Sequence, residues 1–143
     1  MRNLALIAAV LSAGMLFIKP VAASAHGKDS RGGTADAQMK KLHAMMPMFS
    51  IASAELEAAL EKGDSAAALV QAAKIKTAIP DLKKSKPHKN IKQRKKIVEI
   101  ATNFDEAIAS TVDLIKKDDI PGSKAAFKKV EELCVACHAT FRD

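Results

Sequence analysis

Near its C-terminus the chain reads Cys134-Val135-Ala136-Cys137-His138, which brings both cysteines of the sequence and one histidine into five consecutive positions. On a helix, positions i, i+3 and i+4 share one face, so two thiols and an imidazole at this spacing act on one object. Thiols so placed can bond the vinyl carbons of a haem while the neighbouring imidazole turns a nitrogen to the iron, and C-x-x-C-H is the pattern associated with that covalent attachment. His138 is then the proximal axial ligand, and the cofactor is one covalently held haem c per chain. A permanent tether suits a protein that works outside the cytoplasm, where a dissociable haem is easily lost. Three other chemistries use the same residue types. A disulfide across two residues closes a very small loop and so removes little entropy from the unfolded chain. A thioredoxin-like pair belongs at a helix N-terminus after a strand, where the helix dipole lowers a thiol pKa. A tetrahedral zinc site needs a fourth ligand, which nothing local in the sequence supplies.

The elements that must position this motif read as helices. The chain has 143 residues, 48% of them hydrophobic, with five Phe and neither Trp nor Tyr, so its core is built from aliphatic side chains and Met, which favour helices over sheets. Six Gly and five Pro leave little turn material for a sandwich or barrel. Residues 26–34 are polar and Gly-rich, a flexible lead-in, and a four-helix-bundle domain follows over 35–143. A first helix over 35–62 carries Met39, Leu42, Met46, Phe49, Leu56 and Leu60 on or near one stripe, is disturbed by Pro47 and ends at Gly63. Asp64 or Ser65 caps a second helix with Leu69, Val70, Ala73 and residues 75–79 as its apolar content, and Pro80 marks its end. The polar basic stretch 81–90 reads as a crossover, and a third helix over 91–117 sets Ile97, Ala101, Phe104, Ile108, Thr111 and Ile115 at alternating spacings of four and three. Residues 118–122 form a turn, and Ser123 caps a last helix whose inward face reads Ala126 or Phe127, Val130, Cys134, Cys137 and Phe141. The expectation is an all-α antiparallel four-helix bundle with haem c bound near the C-terminal helix.

Ahead of this domain, Arg2, the apolar stretch 4–18 and Ala23-Ser24-Ala25 make a secretory signal peptide over 1–25, cleaved after Ala25. The apolar stretch is shorter than the roughly 20 residues a membrane span requires, so no stable membrane insertion survives cleavage. Lys plus Arg number 23 against 16 Asp plus Glu, a net charge of +7, which favours acidic partners. Nucleic acid is not among them, because no base-stacking aromatics are interleaved with the charge and no nucleic-acid-binding motif is present. No serine nucleophile motif, paired carboxylates in an apolar setting or phosphate loop suggests an enzyme.

Taken together, this layout resembles the class II c-type cytochromes, the cytochrome c-prime family. It shares with them a signal peptide, four helices, a crossover after the second and one C-x-x-C-H close to the C-terminus. The stretch CVACHATFRD, Cys134 to Asp143, is similar to the family's ending, with an aromatic and a basic residue after the haem motif. The resemblance implies that Phe141 packs near the porphyrin and that Arg142 lies near the haem edge. It also implies a periplasmic protein, homodimeric in many members, that transfers single electrons between redox partners or binds gases such as nitric oxide at a five-coordinate iron.

In that family the sixth iron position faces a residue of the first helix, which is Met in low-spin members. Counting back from Gly63 by the family's helix length reaches Met46, with His43 and Met39 one and two turns earlier as alternatives. Thioethers also pack well around irregular gaps, and that role serves each Met of the segment equally. If the cysteines stay unmodified, the Met-rich stretch would instead suit a soft metal such as copper. The run Lys83, Lys84, Lys86, His88, Lys89, Lys92, Arg94, Lys95 and Lys96 is in the first place a solvated surface; as a functional feature it is a docking face for an acidic redox partner. Export predicts a mature chain that starts at His26, and the intact mass of the exported protein checks this; retention of residues 1–25 would leave an anchored protein instead.

Overall fold

The computed structural model describes residues 30–87 and 89–142, with side chains from residue 37 onward. The leader at 1–25, the start of the polar stretch at 26–29 and His88 lie outside the described residues. Within them all regular structure is helical: α1 (Ser30–Lys62), α2 (Ser65–Lys84), α3 (Arg94–Lys116) and α4 (Ile120–Phe141). Short connections at 63–64 and 117–119 make α1/α2 and α3/α4 antiparallel neighbours. α2 also packs on α3, and α1 meets α4 more sparsely, so the four helices surround one core in the manner of a four-helix bundle. None of the described helices is long and apolar enough to cross a membrane.

The two hairpin corners are built alike. At the end of α1, Gly63 takes φ +70°, its N–H donates to the Leu60 carbonyl, and the Asp64 N–H donates to that of Ala59. This pair of bonds is a Schellman motif and satisfies carbonyls that the helix end leaves open. The end of α3 repeats it with a non-glycine residue: Asp118 has φ 59°, its N–H donates to the Ile115 carbonyl, and that of Asp119 to Leu114. Each corner then starts the next helix with an aspartate cap, Asp64 accepting from the Ala67 N–H and Asp119 from the Gly122 N–H, both at 2.9 Å. The Ser65 hydroxyl donates to the Asp118 carboxylate at 2.9 Å and ties one corner to the other.

The α3 seam buries Ile97, Ala101, Phe104, Ile108, Thr111 and Ile115, the residues its four-three spacing indicates. Thr111 is tolerated there because its hydroxyl donates to the Ala107 carbonyl one turn back. Opposite it, Ala52 and Ala59 of α1 and Ala68 and Ala72 of α2 are all buried, small side chains that let these two helices approach closely. Phe49 of α1 meets Phe104 of α3 edge to face, with ring centroids 5.7 Å apart.

Several boundaries differ from the sequence reading. α1 starts at Ser30 and runs on through Pro47, and α2 continues through Pro80 to Lys84. Both prolines are exposed, as are His43 and Lys76 four residues before them, so the hydrogen bond each proline deletes falls on the solvent side, where water replaces it. Beyond Pro80, burial of Leu82 holds the last turn of α2 on the core, and the crossover shrinks to 85–93. In α2, Val70 and Ala73 face solvent, and the buried stripe is Ala68, Ala72, Ile75, Ile79 and Leu82. Ser123 does not cap α4; it is buried one turn inside, its hydroxyl donating to the Asp119 carbonyl, and Asp119 holds the cap position. A Cβ on Gly122 would collide with the Asp119 carboxylate, which explains the glycine in the first turn.

Two substitutions test this packing by urea denaturation. Ile108→Ala, at a fully buried position, is expected to cost about 3 kcal/mol. Gly63→Ala meets no steric neighbour and is expected to cost about 1 kcal/mol from the left-handed backbone alone.

Candidate functional site

The buried positions of α4 are Ser123, Phe127, Val130 and Phe141, at spacings of four, three and eleven. The gap holds Cys134 and Cys137, which continue the same stripe yet stay only half-buried as free thiols. The seam continues in sequence, and a cleft opens here among α1, α3 and α4. Its smaller part is a cavity of about 370 Å³ walled by Met46, Phe49, Ser50 and Ser53 of α1, Ile97, Ile100, Ala101 and Phe104 of α3, and Leu133, Cys134, Val135, Cys137 and His138 of α4, with Glu57 and Glu131 on its border. A second cavity of about 670 Å³ continues past Leu42, His43, Pro47, Pro87, Phe141 and Arg142. Met46, Ser50, Leu82, Ile97, Cys137 and His138 line both, so the two spaces share a wall. Volumes of this size, lined mainly by apolar side chains with a few polar groups, are those of small-molecule and cofactor sites, ~300–1,000 Å³.

The motif therefore comes together as its spacing indicates: Cys134, Cys137 and His138 face one cleft. Of the residues placed by resemblance, Phe141 is buried against the larger cavity and Arg142 is exposed at its border. The sixth-ligand candidates separate. Met46 lines both cavities with His138, His43 lines the larger one only, and Met39 lines neither. Met45, at the next position of α1, is buried in the core instead, which turns the helix so that Met46 borders the cleft. The walls contributed by Phe49, Ile97, Ile100 and Phe104 were read from the sequence, where they were read at all, as core residues. They come from helices far apart along the chain, and no local pattern marks them as cofactor neighbours.

The end of α4 is fixed by three bonds. The Arg142 N–H donates to the His138 carbonyl at 2.9 Å, the Thr140 hydroxyl to the Ala136 carbonyl at 3.0 Å, and the Asn90 side-chain amide to the Thr140 carbonyl at 2.7 Å. The last of these pins the crossover to the turn that carries the motif.

Burial pushes the Cys134 thiol up to about 11, with neighbouring Cys137 and Glu131 adding to the effect, and burial also raises Cys137. Both groups are neutral thiols at neutral pH, unlike the acidic cysteine of a disulfide oxidoreductase. Among the described residues no three His, Cys, Asp or Glu side chains converge as a metal cage. The donor set that borders the cleft is two thiols, the imidazoles of His138 and His43 and one thioether, set among mainly hydrocarbon walls. It fits a flat apolar macrocycle that brings its own equatorial ligands. No family model, no curated protein and no solved structure matches the chain.

The raised thiol pKa sets a reactivity. In the unmodified chain at pH 8, Cys134 carries about a hundredfold less thiolate than an ordinary cysteine, so iodoacetamide should modify it slowly. The rate should climb about tenfold per pH unit until the thiol titrates. An alkylation rate equal to that of a free cysteine at pH 8 would contradict the burial.

Proposed function

We propose that the chain is an exported, periplasmic monohaem c-type cytochrome that carries single electrons between redox partners, with the haem seated in the cleft against α4. The observation that carries this reading is the placement of CVACH along one side of an apolar cleft, with Met46 bordering the same space from α1. Cys134 and Cys137 are the attachment points. Each contributes a sulfur by adding its S–H across a vinyl group, so the thiols leave the titratable set on attachment. His138 would hold the iron from α4, and Met46, which lines both cavities beside His138, would be the ligand from α1 ahead of His43 and Met39. When bound, the haem supplies an iron that alternates between the ferrous and ferric states. A thioether favours the ferrous state relative to a second imidazole, and thereby raises the reduction potential.

The remaining wall residues exclude water. Phe49, Ile97, Phe104 and Phe141 are all buried and border the cleft, which lowers the local dielectric and disfavours a net charge on the iron centre. Glu57 and Glu131 border the smaller cavity, while Arg142 borders the larger. Anionic haem carboxylates are therefore better matched to the Arg142 end.

Absorption spectra of the exported protein, oxidised and reduced, together with its intact mass, test the proposal. The expected result is one covalently added haem and a low-spin spectrum that carbon monoxide does not shift. Met46→Ala should then turn the iron high-spin and sensitive to carbon monoxide, whereas Met39→Ala should not. A wild-type protein that is already high-spin and shifts with carbon monoxide is a gas-binding protein of the five-coordinate kind. A mass without haem, with intact thiols, overturns both.

A further inference from the structure

Between Leu82 and Val98 the chain carries no acidic residue, and this stretch forms the last turn of α2, the loop 85–93 and the first turn of α3. Its cations divide by what they touch. Lys83 pairs with Asp105 at 2.9 Å, and the Arg94 guanidinium donates to the carbonyl oxygens of Ser85 and Lys83. These two residues fasten the loop to the bundle. Lys84, Lys86, Lys89, Lys92, Lys95 and Lys96 are exposed, and their side-chain ammonium groups make no ion pair or hydrogen bond among the described residues. The neighbouring carboxylates do not offset them: Asp81 is taken by Lys41 and Asp105 by Lys83, which leaves Glu99, one turn beyond Lys95 and Lys96. Like charges gathered in this way repel one another in the isolated molecule without a compensating contact.

Two further features give the patch a position and a centre. Ile91 is 64% exposed in the middle of the lysines, one of few large apolar side chains left so open. The loop that carries it is held against the candidate haem site, because Asn90 is bonded to the Thr140 carbonyl and Pro87 lines the larger cavity beside His138 and Phe141. Asn90 takes a left-handed backbone, φ 55°, directly before Ile91.

We propose that the loop 85–93 with the first turn of α3 is the docking face for an acidic protein surface, with Ile91 at its centre and Lys84, Lys86, Lys89, Lys92, Lys95 and Lys96 as its charged rim. An apolar centre ringed by polar groups is the anatomy of a protein interface, and single-sign charge on the rim raises encounter rates and selects a partner of opposite sign. The purpose of the docking rests on the electron-carrier reading: a partner seated here lies against the loop that closes one end of the cleft. One exposed isoleucine is too little apolar surface to hold a lipid face, which is why the partner is taken to be a protein.

The test uses the exported protein as isolated, isotope-labelled, with a poly-L-glutamate peptide of about 15 residues as the acidic probe. Amide shift changes at low salt should concentrate on residues 84–96, and binding should fall steeply as salt rises. Lys89→Glu combined with Lys92→Glu should weaken binding about tenfold, whereas Lys116→Glu combined with Lys117→Glu, at the opposite end of α3, should leave it within about twofold. Shift changes spread over lysines of both ends, or equal losses from the two double variants, would overturn the docking face. Binding to phosphatidylglycerol-containing vesicles with no response to the peptide would overturn the protein partner. These readouts do not depend on haem, so a haem-free mass defeats the electron-carrier reading while leaving the docking result to be judged separately.

Discussion

The cleft depends on the failure of α1 and α4 to close. α4 carries its inward stripe with unbroken spacing, Ser123, Phe127, Val130, Cys134, Cys137 and Phe141, and a bundle that closed along its whole length would bury all six. Instead the stripe is buried on either side of Cys134 and Cys137 and half-exposed at those two residues, and α1 meets α4 only sparsely as a pair. The residues at the gap are two thiols rather than leucines, with His138 beside them and Met46 across the space. Filling the gap with aliphatic side chains would make a tighter bundle; leaving it open gives up dispersion contacts and exposes hydrocarbon walls. A flat apolar ligand seated there would restore those contacts.

That opening is tolerated because the other end of the bundle is over-determined. Both corners there combine a Schellman turn with an aspartate cap, and the bond from Ser65 to Asp118 links them across the helix pairs. The fully buried Leu56, Leu60, Ile115 and Val130 pack toward the same end. At the cleft end, order comes from polar bonds instead: Arg94 holds two loop carbonyls and Asn90 holds the last turn of α4. A lysine would match this site less well, since its ammonium lacks the planar fork whose two nitrogens each meet one carbonyl.

How much of this was legible in the sequence varies with the kind of signal. The α3 seam was read in full because its inward residues recur at alternating spacings of four and three over five intervals. In α2 the buried stripe leans on Ala68 and Ala72, which look like neutral helix formers, while the more conspicuous Val70 faces water. Proline misled the boundary of that helix, because whether a proline ends a helix depends on whether its missing bond faces solvent, and that is a tertiary fact. On α1 the count back from Gly63 crosses Pro47 and fixes the register only to about a turn, too coarse to separate buried Met45 from cleft-lining Met46. Ser123 and Asp119 both have the chemistry of a cap; Asp119 takes it by accepting the Gly122 N–H, and the helix has already started when it reaches Ser123. The motif face was legible since Cys134, Cys137 and His138 are nearly contiguous. Its walls were not, since they converge from three other helices.

On the electron-carrier reading, the two axial positions have a consequence for the fold as well as for the iron. His138 belongs to α4 and Met46 to α1, helices that pack on one another more sparsely than α1 on α2, α2 on α3 or α3 on α4. A ligand bonded from both sides would cross-link that edge, so occupancy and bundle closure would be one equilibrium rather than two. The covalent attachment through Cys134 and Cys137 acts on α4 alone and leaves the α1 bond free to break and re-form. Retention of the cofactor and closure of the bundle are thereby assigned to different residues. On that reading the thiols would set whether the haem is present, and the α1 ligand would set how firmly the two helices are joined and how far the iron is open to a small molecule.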